Sequence, residues 1–148
     1  MNTIHGTSIL ISGTGVLLRG KSGAGKSDLA LRLIDQGAVL IADDRVEVCV
    51  DQGRVMVKAP ESLAGLLEVR GIGIVRMPTV AAAELHLVVD LVAPSMVERL
   101  PESEWTTVLQ ERLPRVALAA FESSAPAKVR IAAAAARGGW LGTVPGVA

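Results

Sequence analysis

The stretch Gly20-Lys21-Ser22-Gly23-Ala24-Gly25-Lys26-Ser27 constrains the chain more than any other, because it fits the spacing of a phosphate-binding loop between a strand and a helix. Each fixed position has a physical reason. Gly20, Gly23 and Gly25 let the backbone turn tightly and bring successive N–H groups to phosphate oxygens with no Cβ in the way. Lys26 supplies a mobile cation, Ser27 offers a hydroxyl to Mg²⁺, and the helix that follows contributes the positive end of its dipole. The flanks match. Gly15 to Arg19 is a short apolar run, and Lys26 to Gln36 sets Leu29, Leu33 and Ile34 on one helical face, closed by Gly37.

Upstream, Thr7 to Ser12 reads as a strand joined to Gly15–Arg19 by a tight turn at Gly13-Thr14. In such a hairpin the start of the first strand lies beside the end of the second, so His5 and Gly6 fall next to the loop. Downstream, Ala38 to Ala42 is a second apolar run, ending in Asp43-Asp44-Arg45. A strand, helix, strand unit crosses over right-handedly and leaves its two strands parallel, which brings Asp43 and Asp44 to the loop's edge of the sheet. Beside a phosphate site that pair reads as a metal ligand or a general base; elsewhere it would be a solvated strand end.

Val46 to Val50 and Arg54 to Lys58 form a hairpin around Asp51-Gln52-Gly53, and a helical turn spans Glu61 to Leu67. Glu68-Val69-Arg70-Gly71-Ile72-Gly73-Ile74 is strand-like but interrupted by glycine, the mark of a close approach or, more plainly, of an exposed edge. Glu84 to Leu91 is a further strand, with His86 a surface or satisfied residue within it. Pro94 to Pro101 is a loop or short helix, Val116 to Ala120 a strand, and Ala127 to Arg137 an alanine-rich helix. Residues 138 to 148 lack periodicity and read as a loose tail or one docked by Trp140. No linker divides the 148 residues, so they are expected to form one domain.

Composition excludes several classes. Half of the residues are hydrophobic and the net charge is zero, which fits neither disorder nor an electrostatic grip on nucleic acid. With one Phe, two Trp and no Tyr there are few aromatic platforms for nucleic acid. The single Cys49 forms no internal disulfide and reads as a small apolar strand residue. No stretch reaches the length of a membrane span, so a soluble cytoplasmic protein is the expectation.

Four blocks in order, His5-Gly6, residues 20 to 27, Leu40 to Val48 (LIADDRVEV) and Leu66 to Val75 (LLEVRGIGIV), resemble the catalytic domain of HPr kinase/phosphorylase. The resemblance implies an α/β phosphate-loop fold, a single domain with a PEP-carboxykinase-like mixed sheet and flanking helices. It implies an ATP- and Mg²⁺-dependent protein serine kinase whose partner is an HPr-like phosphocarrier and which assembles as a homo-oligomer, a hexamer in the family. By the same resemblance His5 lies near the reacting phosphate and Lys26 is the loop lysine. Ser27, Asp43 and Glu68 form the metal set, Asp44 is the acid that takes and returns the serine proton, and Arg99 stabilises charge on the transferring group.

The chain departs from the family in having no counterpart of the N-terminal regulatory domain of longer members, only RMPTVAAA after Val75, and a Pro126 to Arg130 segment that is a residue short and lacks the family glycine. It also ends before the family's final helix is complete. Kinase activity is therefore better supported than phosphorylase activity, and the short form resembles α-proteobacterial members that serve nitrogen-type carriers. A small-molecule kinase and a non-catalytic nucleotide-sensing module remain as other readings of the same residues.

Overall fold

The computed structural model describes residues 2–139; the expectations for Trp140 and for the rest of the tail lie outside the described residues. Eleven strands and two α-helices follow one another. They are β1 (Asn2–His5), β2 (Thr7–Ile11), β3 (Thr14–Arg19), α1 (Lys26–Ile34), β4 (Val39–Ala42), β5 (Arg45–Asp51), β6 (Arg54–Lys58), β7 (Leu66–Val69), β8 (Gly73–Arg76), β9 (Ala83–Leu91), β10 (Glu104–Val108), β11 (Glu111–Leu118) and α2 (Ala125–Gly138). Nine strands make one mixed sheet along the path β1-β5-β6-β9-β3-β2-β4, with the β10–β11 hairpin joined to β9, while β7 and β8 pair only with each other.

The expected strand, helix, strand unit is present in β3, α1 and β4. β2 runs antiparallel to both β3 and β4, which makes those two parallel but not adjacent. The hairpin turn falls one residue earlier than its glycine suggested. Ile11 pairs with Thr14, and Ser12 and Gly13 both take positive φ, the two-residue turn whose twist suits a hairpin.

Two apolar clusters lie on opposite faces of the sheet. Val16 and Leu18 point to one side and join Leu29 and Leu33 of α1 and Val129 of α2; Leu17 points to the other and meets Val46, Val48, Val55 and Val57. Both helices therefore cover a single face, and the curl of β5 and β6 covers the other. Strand β9 serves both clusters by changing phase. Gly15 pairs with Leu85 and Val16 with Leu87, so His86 is an extra residue in the ladder. Its Nδ1 accepts the Gly15 N–H at 3.2 Å, and burial holds its pKa below the ordinary value against the pull of Glu84. His86 is thus a satisfied residue. A Cβ on Gly15 would stand 2.0 Å from the Glu84 carbonyl oxygen, which is why glycine occupies the bulge partner.

Three strands are tied together by Asp90 of β9. Arg19 of β3 donates to it through Nε at 2.8 Å and Nη2 at 2.9 Å, and Arg115 of β11 through Nε at 2.6 Å. Burial pushes the carboxyl up, but the hydrogen bonds and charges of Arg19 and Arg115 outweigh it and hold the pKa below 3.8. A group depressed on folding stabilises the fold above its unfolded-state pKa and loses that contribution as pH falls through its folded-state pKa. Asp90→Asn is therefore expected to cost about 2 kcal/mol at neutral pH. Urea denaturation of both proteins along a pH series should show the gap closing only in acid; a gap independent of pH would assign the loss to packing.

Other expectations shift at their edges. The helical turn is confined to Glu61–Leu63, because Leu66 and Leu67 already belong to β7. The strand expected at Val116 to Ala120 runs from Glu111 to Leu118 and pairs in parallel with β9. Helix α2 begins two residues earlier than expected, with Pro126 in its first turn where its missing N–H costs nothing. No helix among the described residues is long and apolar enough to cross a membrane.

Candidate functional site

The loop from Gly20 to Gly25 joins β3 to α1 and opens into a cleft of about 750 Å³. Gly25 has φ 100° at the helix N-cap, and no side chain caps the first turn. Lys26 Nζ donates to the Gly20 and Lys21 carbonyls at 2.6 and 3.1 Å, which folds the lysine back over the loop. At the far end of α1, Gly37 (φ 106°) donates to the Ile34 carbonyl and ends the helix as expected.

The loops after β1 and β4 meet at the same cleft. His5 pairs with Arg45, and the Gly6 N–H donates to the Asp44 carbonyl at 3.1 Å, so His5 and Asp44 are held side by side. Both line the cleft. Asp44 has φ 70°, a left-handed conformation that Asp and Asn tolerate better than most residues, and its side chain is exposed.

Asp43 behaves differently from its neighbour. It is 7% exposed and sits behind the cleft wall, where its carboxylate gathers three donors. Oδ1 accepts from Ser27 Oγ at 2.7 Å and from Thr7 Oγ1 at 3.0 Å; Oδ2 accepts from the Glu68 N–H at 3.1 Å. One buried acid thereby joins α1, β2 and β7. A serine hydroxyl that donates to a carboxylate turns its lone pairs outward, the orientation a cation ligand requires.

Glu68 reaches the site on the β7–β8 hairpin. Leu67 and Val69 bury their side chains against Leu40, with Leu31 and Ile34 of α1 packed around them, and the intervening Glu68 is exposed and lines the cleft. Gly71 takes φ 87° in the turn, which accounts for one glycine of this segment.

Of the residues expected at the site, His5, Gly20 to Gly23, Gly25 to Ser27, Asp44 and Glu68 line the cleft. Ala24 and Asp43 stand behind it. Arg99 lies in the exposed stretch between β9 and β10, outside the cleft lining. Thr7, Asp28, Leu31, Val69, Arg70 and Phe121 also line it and were not expected from the motifs. Arg70 had a signal, since it alternates with Glu68 in the same segment; Thr7 had one in being a polar residue within an apolar strand.

Among the described residues no three His, Cys, Asp or Glu side chains converge into a metal cage. The Ser27 hydroxyl and the Glu68 carboxylate at the cleft fit Mg²⁺, which is usually held by one or two carboxylates, substrate phosphates and several waters. Ser27 and Glu68, which both line the cleft, would hold it, with Asp43 orienting the serine.

Comparison with known proteins gives the chain's family. The family model described as the HPr Serine kinase C-terminal domain matches residues 1–136. The HPr kinase/phosphorylase of Lactobacillus acidophilus is 46% identical over 99 residues, covering 62% of this chain and 31% of its own length. That of Geobacillus kaustophilus is 39% identical over 127 residues, covering 78% of this chain and 41% of its own. The chain thus spans well under half the length of these relatives. The solved structure of the Hpr(Ser) kinase/phosphatase from Coxiella burnetii superposes with a TM-score of 0.80 at 26% identity, covering 88% of this chain and 87% of that one. With the match running from Met1 through nearly all of α2, the chain belongs to the HPr serine kinase C-terminal domain family.

Proposed function

We propose that the chain is a cytoplasmic, ATP- and Mg²⁺-dependent protein serine kinase acting on an HPr-like phosphocarrier. The observation that carries this reading is the meeting of the phosphate loop, Asp44 and Glu68 on one cleft, with Asp43 bonded to Ser27 behind it. Phosphoryl transfer needs positioning and charge stabilisation more than covalent chemistry, and these residues supply both.

In the proposed reaction the loop N–H groups and Lys26 hold the outer phosphates. Magnesium, held by Ser27 and Glu68, would supply positive charge to offset that on the phosphoryl oxygens. The acceptor serine oxygen attacks the γ-phosphorus; the new O–P bond forms as the bond to the β-γ bridging oxygen breaks, and ADP leaves with that electron pair. The serine proton passes to the Asp44 carboxylate. His5 stands beside Asp44 near the transferring group. Arg99 is assigned to charge stabilisation, which requires the β9–β10 stretch to lie against a cleft in the working assembly, a homo-oligomer. Removal of the phosphate from the carrier would run the same step backwards, ADP accepting the phosphoryl group as the serine O–P bond breaks and the Asp44 carboxyl returning its proton to the serine oxygen.

Intact-mass analysis of the carrier after incubation with this protein, Mg²⁺ and ATP tests the reading, with Lys26→Ala as control. A gain of one phosphate on serine is expected, absent with Lys26→Ala. An unmodified carrier beside demonstrated ATP binding would count against it.

A further inference from the structure

Phe121 is the only phenylalanine of the chain, and it is 69% exposed. It stands between β11 and α2, belongs to neither of the large apolar clusters, and lines the cleft together with the phosphate loop. The position is built rather than incidental. Arg32 of α1 donates to the carbonyls of Ala120 and Glu122, on either side of Phe121, and is itself braced by Asp28 at 3.0 Å. The ring lies close against the loop backbone. A Cβ on Gly25 would stand 2.9 Å from the ring Cζ and 2.8 Å from the Ala120 Cβ, so the last loop glycine serves close approach as well as its φ of 100°.

An exposed aromatic face on a backbone held from both sides, at the wall of a phosphate cleft, has a chemical complement in a flat heterocycle covalently joined to the phosphates. We propose that the Phe121 ring is a stacking platform for the base of the bound nucleotide, a positioning residue that holds the heterocycle beside the phosphate loop. Stacking is tolerant of base identity because every base has a π-face, so the platform adds affinity for a nucleotide's base without selecting one base over another. This assignment rests on the phosphate-site reading above and names the residue that would hold the base.

The test is calorimetric titration of the protein with ATP and, separately, with inorganic tripolyphosphate, both with Mg²⁺, for wild type, Phe121→Ala, Phe121→Trp and Lys26→Ala. Phe121→Ala is expected to weaken ATP binding about ten- to a hundredfold while leaving tripolyphosphate binding unchanged, and Phe121→Trp to retain the ATP affinity. Lys26→Ala should weaken both ligands. Unchanged ATP binding in Phe121→Ala, equal loss of both ligands in it, or wild-type protein that holds tripolyphosphate as tightly as ATP would each overturn the platform while the phosphate site stands. Wild-type protein that binds neither ligand would overturn the phosphate site and the platform together. Circular dichroism of each variant separates binding loss from unfolding.

Discussion

Asp44→Asn is expected to slow phosphoryl transfer to the carrier by about 10²- to 10⁴-fold, the usual worth of a positioned general base, while ATP affinity and thermal stability stay at wild-type values. The backbone conformation at this position makes the substitution clean. Asp44 holds φ 70°, where Asn is as well accommodated as Asp, so the turn should survive; alanine there would add backbone strain and confuse the result. The main-chain carbonyl that accepts the Gly6 N–H is untouched, so His5 keeps its place beside the site. No side-chain hydrogen bond from Asp44 holds the fold among the described residues, in contrast to Asp43. Single-turnover transfer measured with a saturating nucleotide, alongside calorimetric ATP binding, checks the prediction. Equal loss of binding and transfer would show that Asp44 shapes the nucleotide site instead of serving the acceptor.

The parts of this molecule that could be read in advance are those whose cause is local. A phosphate loop needs its glycines, lysine and serine at fixed spacing and its strand and helix on either side, and all of these lie within about twenty residues of chain. The handedness of the crossover then carried Asp43 and Asp44 to the right edge, although nothing in the sequence told of β2 lying between β3 and β4. Strand β1 escaped notice because Asn2 to His5 is short, polar and exposed. The β10–β11 hairpin was hidden for a different reason. Its turn takes positive φ at Leu109 and Gln110, residues that carry no turn signal, and β11 contains Glu111, Arg112 and Pro114, which read as loop.

The site divides along the same line. Glu68 and Asp44 stood out by pattern, but the separate tasks of the two adjacent aspartates follow from tertiary geometry, since only the fold decides which carboxylate turns inward. Phe121 had no sequence signal at all. Its significance lies in Arg32 clasping the carbonyls on both sides of it, across a separation of about ninety positions that no motif spans. Arg99 shows the converse: a residue assigned by resemblance stands on an exposed stretch whose relation to the cleft is not set by contacts within the described residues.

Asp43→Ala should destabilise the fold by about 3 kcal/mol, because it removes one buried acceptor and leaves the Thr7 hydroxyl and the Glu68 N–H without their partner. Thr7 is fully buried, and neither its hydroxyl nor the Glu68 N–H can turn to water without opening the β2–β7 junction. For a domain of this size that corresponds to a fall in Tm of roughly 6–12 °C. Asp43→Asn separates the charge from the hydrogen bonds. With its amide oxygen towards the Glu68 N–H, its NH₂ group can donate to the Thr7 and Ser27 hydroxyls, which accept as readily as they donate. Most of the stability should therefore return. Ser27, however, would now spend a lone pair on the amide instead of giving its proton to a carboxylate, and one negative charge beside the metal set is lost. Mg²⁺ dependence of ATP binding should accordingly weaken in Asp43→Asn although the protein is nearly as stable as wild type. Urea denaturation and Mg²⁺ titrations of ATP binding on the three proteins decide it. Stability within about 0.5 kcal/mol of wild type for Asp43→Ala would show that the Thr7 hydroxyl and the Glu68 N–H find other partners, and that Asp43 is not the joint between the loop, β2 and β7.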